Sequence, residues 1–135
     1  MSSKTPNGSP RIVCLCGSGR FRDAFETAEY RETLAGKIVL TIGCNTHDVA
    51  RSEELQHFKP MLDELHLRKI DLADEILVLN IGGYVGESTR REIVYATLAG
   101  KSVRLVEPQL LPECKIALNA LLALEKMAKN VIKDA

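Results

Sequence analysis

Short apolar runs alternate along this chain with longer segments in which apolar residues recur at helical spacing. The runs read "RIVCLC" at 11–16, "KIVLTIG" at 37–43, "EILVLNI" at 75–81 and "KSVRLVE" at 101–107. A short segment that is apolar throughout is typical of a strand buried on both faces of a sheet. The pattern therefore predicts four strands that alternate with helices.

The helical segments are predicted at about 21–34, 52–70, 88–99 and 113–132. In the second of these, Pro60 is expected to kink or restart the helix because proline lacks the backbone N–H. Its apolar face is expected to point at the sheet and consists of Leu55, Phe58, Met61, Leu62, Leu65 and Ile70.

The last predicted helix carries more apolar surface than one side of a short helix needs. Its apolar residues are Ile116, Leu118, Leu121, Leu122, Leu124, Met127, Val131 and Ile132. We expect this helix to cover the sheet and to contact a second subunit, which predicts a homo-oligomer, a dimer or larger.

Strands that alternate with helices at these spacings predict an α/β fold, a small doubly wound parallel sheet of four to five strands with helices on both faces. Residues 1–10 are predicted to be a disordered segment, and residues 11–135 a single Rossmann-like α/β domain. Ligands of such sheets bind beyond the carboxyl ends of the strands. The loops selected by this rule are 17–22, 43–50, 81–88 and 106–110.

The first of these loops reads "CGSGRFRD". Gly17 and Ser18 are small enough for backbone amides to approach a ligand, the next helix offers its positive end, and Arg20 adds charge. The loop is therefore a candidate phosphate site, although any strand-to-helix turn favours Gly and Ser. In the second loop His47 and Asp48 are candidates for contact with the same ligand.

The third loop, "NIGGYVGESTRRE", offers Gly83, Tyr84, Gly86 and Ser88 as binding residues. Two interpretations of its end stay open. Thr89 and Glu92 have the spacing of a capping box, in which both side chains only satisfy the start of a helix. Alternatively, Glu92 is a carboxylate at the mouth of a glycine-rich cleft, where it faces the sugar of a bound nucleotide.

Titratable residues elsewhere add few candidates. His66 lies near the sheet-facing side of the second helix. Two interpretations stay open for it, a buried structural histidine or an acid/base group. The three histidines lack metal-ligand spacing, so no metal site is predicted. Cys14 and Cys16 are expected to be core residues, with no nucleophilic pairing to a histidine.

Composition narrows the choice of partners. The chain has 18 basic and 18 acidic residues, which gives no reason to expect a nucleic acid polymer or an anionic membrane as partner. Cysteines without a disulfide framework, the lack of an apolar leader and the lack of an 18-residue apolar stretch favour a reduced, cytoplasmic protein. A small molecule or another protein chain is the expected partner.

Three segments together resemble a known family: "CGSGR" at 16–20, "LHLRKIDLADEILVLN" at 65–80 and "STRREIVYATLAGKSV" at 88–103. The family is that of the nucleoside 2-deoxyribosyltransferases and the related nucleoside-monophosphate N-glycosidases. The resemblance implies a flavodoxin-like fold, cleavage of an N-glycosidic bond, no metal or organic cofactor, and assembly as dimers or larger. It also implies that Glu92 is the nucleophile and that the first loop, Ser88 and Thr89 hold the 5′ end of the substrate.

This chain departs from the family pattern at two positions. Eight residues before Asp74, where many members carry an aspartate, stands His66, which would then act as the acid. Gly86 stands where transferases favour a D-x-G-T pattern, and this favours the N-glycosidases. A second resemblance links the "CGS" start and "GGYVGESTRRE" to the phosphoribohydrolases that release cytokinin bases and carry a PGGxGTxxE motif, with Ile81 in place of the proline. A nucleotide-binding module without turnover is the third alternative.

Overall fold

The computed structural model describes residues 3–43 and 52–107, and the central element of this part is a parallel sheet. Its strands are β1 (Ile12–Cys16), β2 (Ile38–Leu40), β3 (Glu75–Val78) and β4 (Ser102–Leu105), in the order β2-β1-β3-β4. This confirms the predicted α/β class, and each strand is shorter than the apolar run that predicted it. The strand order reverses between β1 and β3, where the two carboxyl ends leave a crevice.

The helices are α1 (Arg22–Leu34), α2 (Ser52–Leu72) and α3 (Glu87–Leu98), with a 3-10 turn at Ile81–Gly83. The predicted helix at 113–132 and the interface expected there lie outside the described residues. Residues 3–11, most of the segment predicted to be disordered, form a hydrogen-bonded turn in which the Arg11 amide donates to the Ser3 carbonyl at 2.9 Å. None of the described helices combines the length and apolarity that a membrane crossing requires.

Alternation along β1 divides the core into two halves. Val13 and Leu15 pack with Phe25 and Ala28 of α1 on one face of the sheet. Cys14 and Cys16 point to the other face, where α2 and α3 contribute the rest of the core through Ile70, Ile93 and Ala96. These four side chains of the five-residue strand are fully buried. Both cysteines therefore face the two helices that border the crevice.

The apolar face predicted for α2 only partly points at the sheet. Ile70 is fully buried, but Phe58, Met61 and Leu65 are 44 to 48% exposed. The physical reason is length, because a helix of 21 residues spans roughly 30 Å whereas strands of three to five residues span roughly half of that. The helix also runs through Pro60 without restarting. Its first half therefore extends past the strand ends instead of covering the sheet.

An ion cluster lies at the amino end of the sheet, on the α1 face. Glu75, the first residue of β3, is fully buried and accepts from Lys37 Nζ at 2.8 Å, Arg11 Nε at 2.9 Å and Arg104 Nη2 at 2.7 Å. Arg104 and Lys37 also pair with Glu32 of α1. This cluster ties β3 and β4, the residues that lead into β1 and β2, and α1 together at the end opposite the crevice.

Candidate active site

The first loop approaches the neighbouring strand closely at Gly17. A Cβ at this position would lie 3.0 Å from the Leu79 Cβ, tighter than ordinary carbon contacts. The Leu79 amide donates to the Cys16 carbonyl at 2.8 Å and extends the β1–β3 pairing by one bond. Glycine therefore lets the chain turn away from β1 directly against the end of β3, which places the 17–20 loop at the crevice.

The third loop is held by Asn80, which is fully buried. Its side-chain amide donates to the Glu107 carbonyl at 2.8 Å, and its side-chain oxygen accepts from the Glu107 amide at 2.9 Å. The Glu107 carboxylate in turn accepts from the Gly82 amide at 2.6 Å. The loops after β3 and β4 are thereby fixed to each other, and Tyr84 and Gly86 are positioned between Asn80 and α3.

The capping interpretation of Glu92 is wrong. Helix α3 begins at Glu87, Gly86 occupies the N-cap position, and no side chain caps the helix. Thr89 is the third helical residue and is buried, and Glu92 lies in the second turn. The first intrahelical bond runs from the Arg90 amide to the Gly86 carbonyl at 2.9 Å. The amides of residues 87–89 thus have no carbonyl partner within the helix, and all three residues border the crevice.

A cavity of about 450 Å³ fills the crevice between the first and third loops and α2. It brings together most of the residues predicted for the site: Gly17, Ser18, Arg20, His66, Tyr84, Gly86, Ser88, Thr89 and Glu92. Gly83 is not on its wall, because it turns the chain at φ +80° one residue before Tyr84. His47 and Asp48 lie outside the described residues.

Sequence reasoning missed several residues of the wall. They are Gly19, Ile42, Gly43, Lys59, Leu62, Asp63, Leu65, Lys69 and Glu87. Five of the nine belong to α2, which was expected to turn its apolar side to the sheet. Their i, i+3 and i, i+4 spacing was the available signal, since it places Lys59, Leu62, Asp63 and His66 on one side of the helix.

Arg20 and Tyr84 form one edge of the cavity. The Arg20 guanidinium lies 4.4 Å from the centre of the Tyr84 ring, and its Nη2 donates to the tyrosine hydroxyl at 3.3 Å. Phe21 meets the same ring edge to face at 5.9 Å. Stacking restricts the motion of an exposed arginine while its other N–H groups stay available for a ligand anion.

Glu92 and His66 meet on the deep wall of the cavity. The Glu92 Oε2 lies 3.8 Å from the His66 Nε2, and the two side chains are 17% and 8% exposed. The same Nε2 is 3.7 Å from the Cys14 Sγ and 3.5 Å from the Cys16 Sγ. Four titratable groups therefore converge on one point behind the cavity wall.

Burial changes the proton affinity of Glu92. Removal from solvent disfavours the carboxylate and raises the pKa of Glu92 from 4.5 to about 7, although the charge of His66 opposes this shift. Burial acts in the opposite sense on His66, but the hydrogen bond to Cys14 and the charge of Glu92 outweigh it and raise the pKa of His66 above 6.5. The wall therefore holds a carboxyl group with a pKa of about 7 beside an imidazole whose pKa is raised above its usual 6.5.

The two cysteines titrate in opposite directions. The hydrogen bond with Cys16, together with His66, lowers the pKa of Cys14 from 9.0 to about 5 despite its burial. The same bond and complete burial raise the pKa of Cys16 well above 9.0. The two sulfurs behind His66 thus differ in proton affinity, and Cys14, Cys16 and His66 form a group whose ligand atoms all lie within 4.8 Å of one another.

Histidine spacing alone misses this group, because two of its members come from alternate positions of a strand and the third from a distant helix. The signal was the C-x-C pattern inside β1, since residues i and i+2 of a strand share a face. The expectation that the cysteines are buried is confirmed. Their contact with a histidine was not expected.

Comparisons of the chain with protein-family models, with curated proteins and with solved structures found no match. The resemblance to the nucleoside 2-deoxyribosyltransferases and N-glycosidases therefore depends on the quoted motifs. Any functional conclusion depends on the geometry of the cavity.

Proposed function

We propose that this chain cleaves the N-glycosidic bond of a nucleoside or nucleoside 5′-monophosphate, with Glu92 as nucleophile. The observation that carries the proposal is that Glu92 and the 17–20 loop border one cavity. A sugar can therefore present its anomeric carbon to the carboxylate while its 5′ substituent reaches the loop. The volume of about 450 Å³ falls in the range of small-molecule sites.

The chemistry required of Glu92 agrees with its surroundings. Glycosidic cleavage passes through an oxocarbenium-like state, which a carboxylate stabilises or traps as a covalent ester. A poorly solvated carboxylate with no Lys or Arg within salt-bridge distance among the described residues interacts strongly with such a positive centre. Attack on the anomeric carbon breaks the bond to the base, and water or a second base then releases the sugar from Glu92.

His66 supplies the acid in this proposal. The hydrogen bond to Cys14 and the charge of Glu92 raise its pKa, which favours the protonated imidazole that can donate a proton to the departing base. Its position 3.8 Å from Glu92 also lets its charge favour the ionised carboxylate before substrate binds. An aspartate at this position would need a strongly raised pKa for the same task.

The 5′ end of the substrate is assigned to the opposite edge of the cavity. Arg20, the small residues Gly17 and Ser18, and the free amides at the start of α3 all border it there. Backbone amides at a helix start together with an arginine favour a phosphate group. We therefore expect a nucleoside 5′-monophosphate to be preferred over the nucleoside.

The test is chromatography of a panel of nucleosides and nucleoside 5′-monophosphates after incubation with the full chain. Release of free base from at least one 5′-monophosphate is expected. Glu92→Gln should lower the rate at least about 1,000-fold and His66→Gln about 100-fold, since nucleophile and proton donor each contribute orders of magnitude. The matched control is Glu29→Gln, which replaces an exposed glutamate of α1 away from the cavity and should change nothing.

Two outcomes would contradict the proposal. Full base release by Glu92→Gln would remove the nucleophile assignment. Measurable binding of a nucleotide with no base release from any member of the panel would favour a nucleotide-binding module without turnover.

A further inference from the structure

Behind the proposed active site, four side chains capable of binding a metal converge from three elements. Cys14 and Cys16 come from one face of β1, His66 from α2 and Glu92 from α3. His66 Nε2 is the common neighbour, at 3.5 Å and 3.7 Å from the two sulfurs and 3.8 Å from the carboxylate oxygen. We propose that these four side chains form a binding site for Zn²⁺.

The distances agree with a tetrahedral site. With Zn–S near 2.3 Å and Zn–N near 2.0 Å, a tetrahedron places sulfur and nitrogen roughly 3.5 Å apart. The two distances from Nε2 to sulfur, 3.5 Å and 3.7 Å, match this edge. The carboxylate oxygen of Glu92 is roughly half an ångström too far from Nε2 for a tetrahedral edge, and Glu92 is not among the three residues whose ligand atoms lie within 4.8 Å of one another, so its side chain must move to become the fourth ligand.

The donor set selects the kind of ion. Two sulfurs and one imidazole exclude Mg²⁺ and Ca²⁺, which bind through oxygen. Two thiolates, one imidazole and one carboxylate suit Zn²⁺, which accepts all three donor types in four-coordinate sites. Binding forms bonds to both sulfurs, to Nε2 and to one oxygen of Glu92. The ion releases the waters it had bound, and any proton on Cys14, Cys16, Nε2 or Glu92 leaves to solvent.

The cavity provides the path to this site. His66 and Glu92 are on its wall, whereas Cys14 and Cys16 are fully buried behind them. An ion therefore enters between the imidazole and the carboxylate and is closed off on the sheet side by the sulfurs. If Glu92 and His66 act as proposed above, the bound ion removes both from catalysis, so Zn²⁺ is an inhibitor of that reaction.

Spectroscopy tests binding without reference to turnover. The full chain, reduced with a phosphine and freed of metal, is titrated with Cd²⁺ and with Co²⁺. We expect a thiolate-to-cadmium absorption band that saturates at one equivalent, and intense visible Co²⁺ bands of a tetrahedral site that Zn²⁺ abolishes by competition. Absence of the cadmium band at one equivalent, or weak octahedral Co²⁺ bands, overturns the proposal.

Variants assign the ligands. Cys16→Ala and His66→Gln should each weaken Cd²⁺ binding at least about tenfold, and Glu92→Gln should change the Co²⁺ spectrum while the cadmium band persists. The control replaces both other cysteines of the chain, Cys44 and Cys114, by alanine and should keep the band. Loss of the band only in this control overturns the site. Should Cys16→Ala fail to fold by circular dichroism, His66→Gln and Glu92→Gln still decide the outcome.

Base release then tests the inhibition. One equivalent of Zn²⁺ should stop release, and a chelator should restore it. Turnover that continues with the Co²⁺ or Zn²⁺ site filled contradicts inhibition. A chain that binds metal as described but releases no base contradicts the proposed function and leaves the metal site standing.

Discussion

Glu75 and Glu92 lie on opposite faces of the same sheet, and their side chains are 0% and 17% exposed. Glu75 pairs in register with Val13 and faces α1, whereas Glu92 projects from α3 toward the face that carries Cys14 and Cys16. Their partners differ. Glu75 accepts from two arginines and a lysine, whereas one histidine is the only basic group within salt-bridge distance of Glu92 in the part of the chain that the structure describes.

The pKa shifts follow from this difference. Burial would raise the pKa of Glu75, but hydrogen bonds from Lys37, Arg104 and Arg11 reverse the effect and lower it below 4.5. Burial of Glu92 lacks this compensation, and its pKa rises to about 7. A fully paired carboxylate contributes to the fold, whereas an underpaired one is available to a positively charged reaction centre or to a metal ion.

The largest stability effect of the comparison is expected for Glu75→Gln. The amide keeps the shape of the side chain but leaves Lys37, Arg11 and Arg104 without their shared anion, at a cost of about 3–5 kcal/mol. Urea unfolding near neutral pH measures it, with Glu29→Gln as the exposed control. A loss below about 1 kcal/mol would contradict the structural role of Glu75.

Glu92→Gln is expected to have a smaller effect of opposite sign, an increase in the free energy of unfolding. Between pH 4.5 and about 7 the folded protein binds more protons at Glu92 than the unfolded chain does, so stability falls as the pH rises through this window. The loss of stability persists at pH values above this window. Glu92→Gln should therefore have a free energy of unfolding about 2 kcal/mol higher than that of the wild type near pH 8. One pKa unit corresponds to about 1.4 kcal/mol, and the full shift is discounted because the side chain keeps some solvent contact.

Unfolding series with a chelator present test this sign. The difference between Glu92→Gln and the wild type should shrink toward zero near pH 4, where both states of the wild type carry a protonated Glu92. Destabilisation by the amide at every pH would instead show that Glu92 stabilises the fold as Glu75 does.

The smallest effect concerns the edge of the cavity. Arg20→Gln should raise KM for a nucleoside 5′-monophosphate about tenfold, roughly 1.4 kcal/mol, and leave kcat/KM for the corresponding nucleoside unchanged. Arg22→Gln is the matched control, since Arg22 is exposed two residues away and is not on the cavity wall. Equal losses with both substrates would indicate that Arg20 only supports Tyr84.

Much of the fold follows from local patterns in the sequence. The apolar runs that begin at Ile12 and Glu75 predicted strands because parallel strands are buried on both faces. Gly36 and Gly100, at φ +84° and +78°, follow the ends of α1 and α3 as expected. Such features depend on residues that are adjacent in the chain, so the sequence alone is enough to predict them.

The site was harder to predict because it depends on distances between elements. Thr89 and Glu92 have capping-box spacing, but the start of α3 is set by Gly86 and the fixed 80–84 loop, which moves the cap three residues earlier. His66 was a candidate only through its position and the resemblance. Its contact with Cys14 and Cys16 depends on how α2 crosses β1, which spacing along the chain does not contain.

The register of β1 decides both which side chains fill the core beside α1 and which side chains face His66. A shift of this strand by one residue would turn Val13 and Leu15 toward His66 and direct both sulfur atoms at Phe25. An insertion or deletion within these five residues would thus replace the two sulfur atoms beside His66 by aliphatic side chains, while the strand stayed fully apolar. In evolution, we expect this segment to change by substitution and to keep its length.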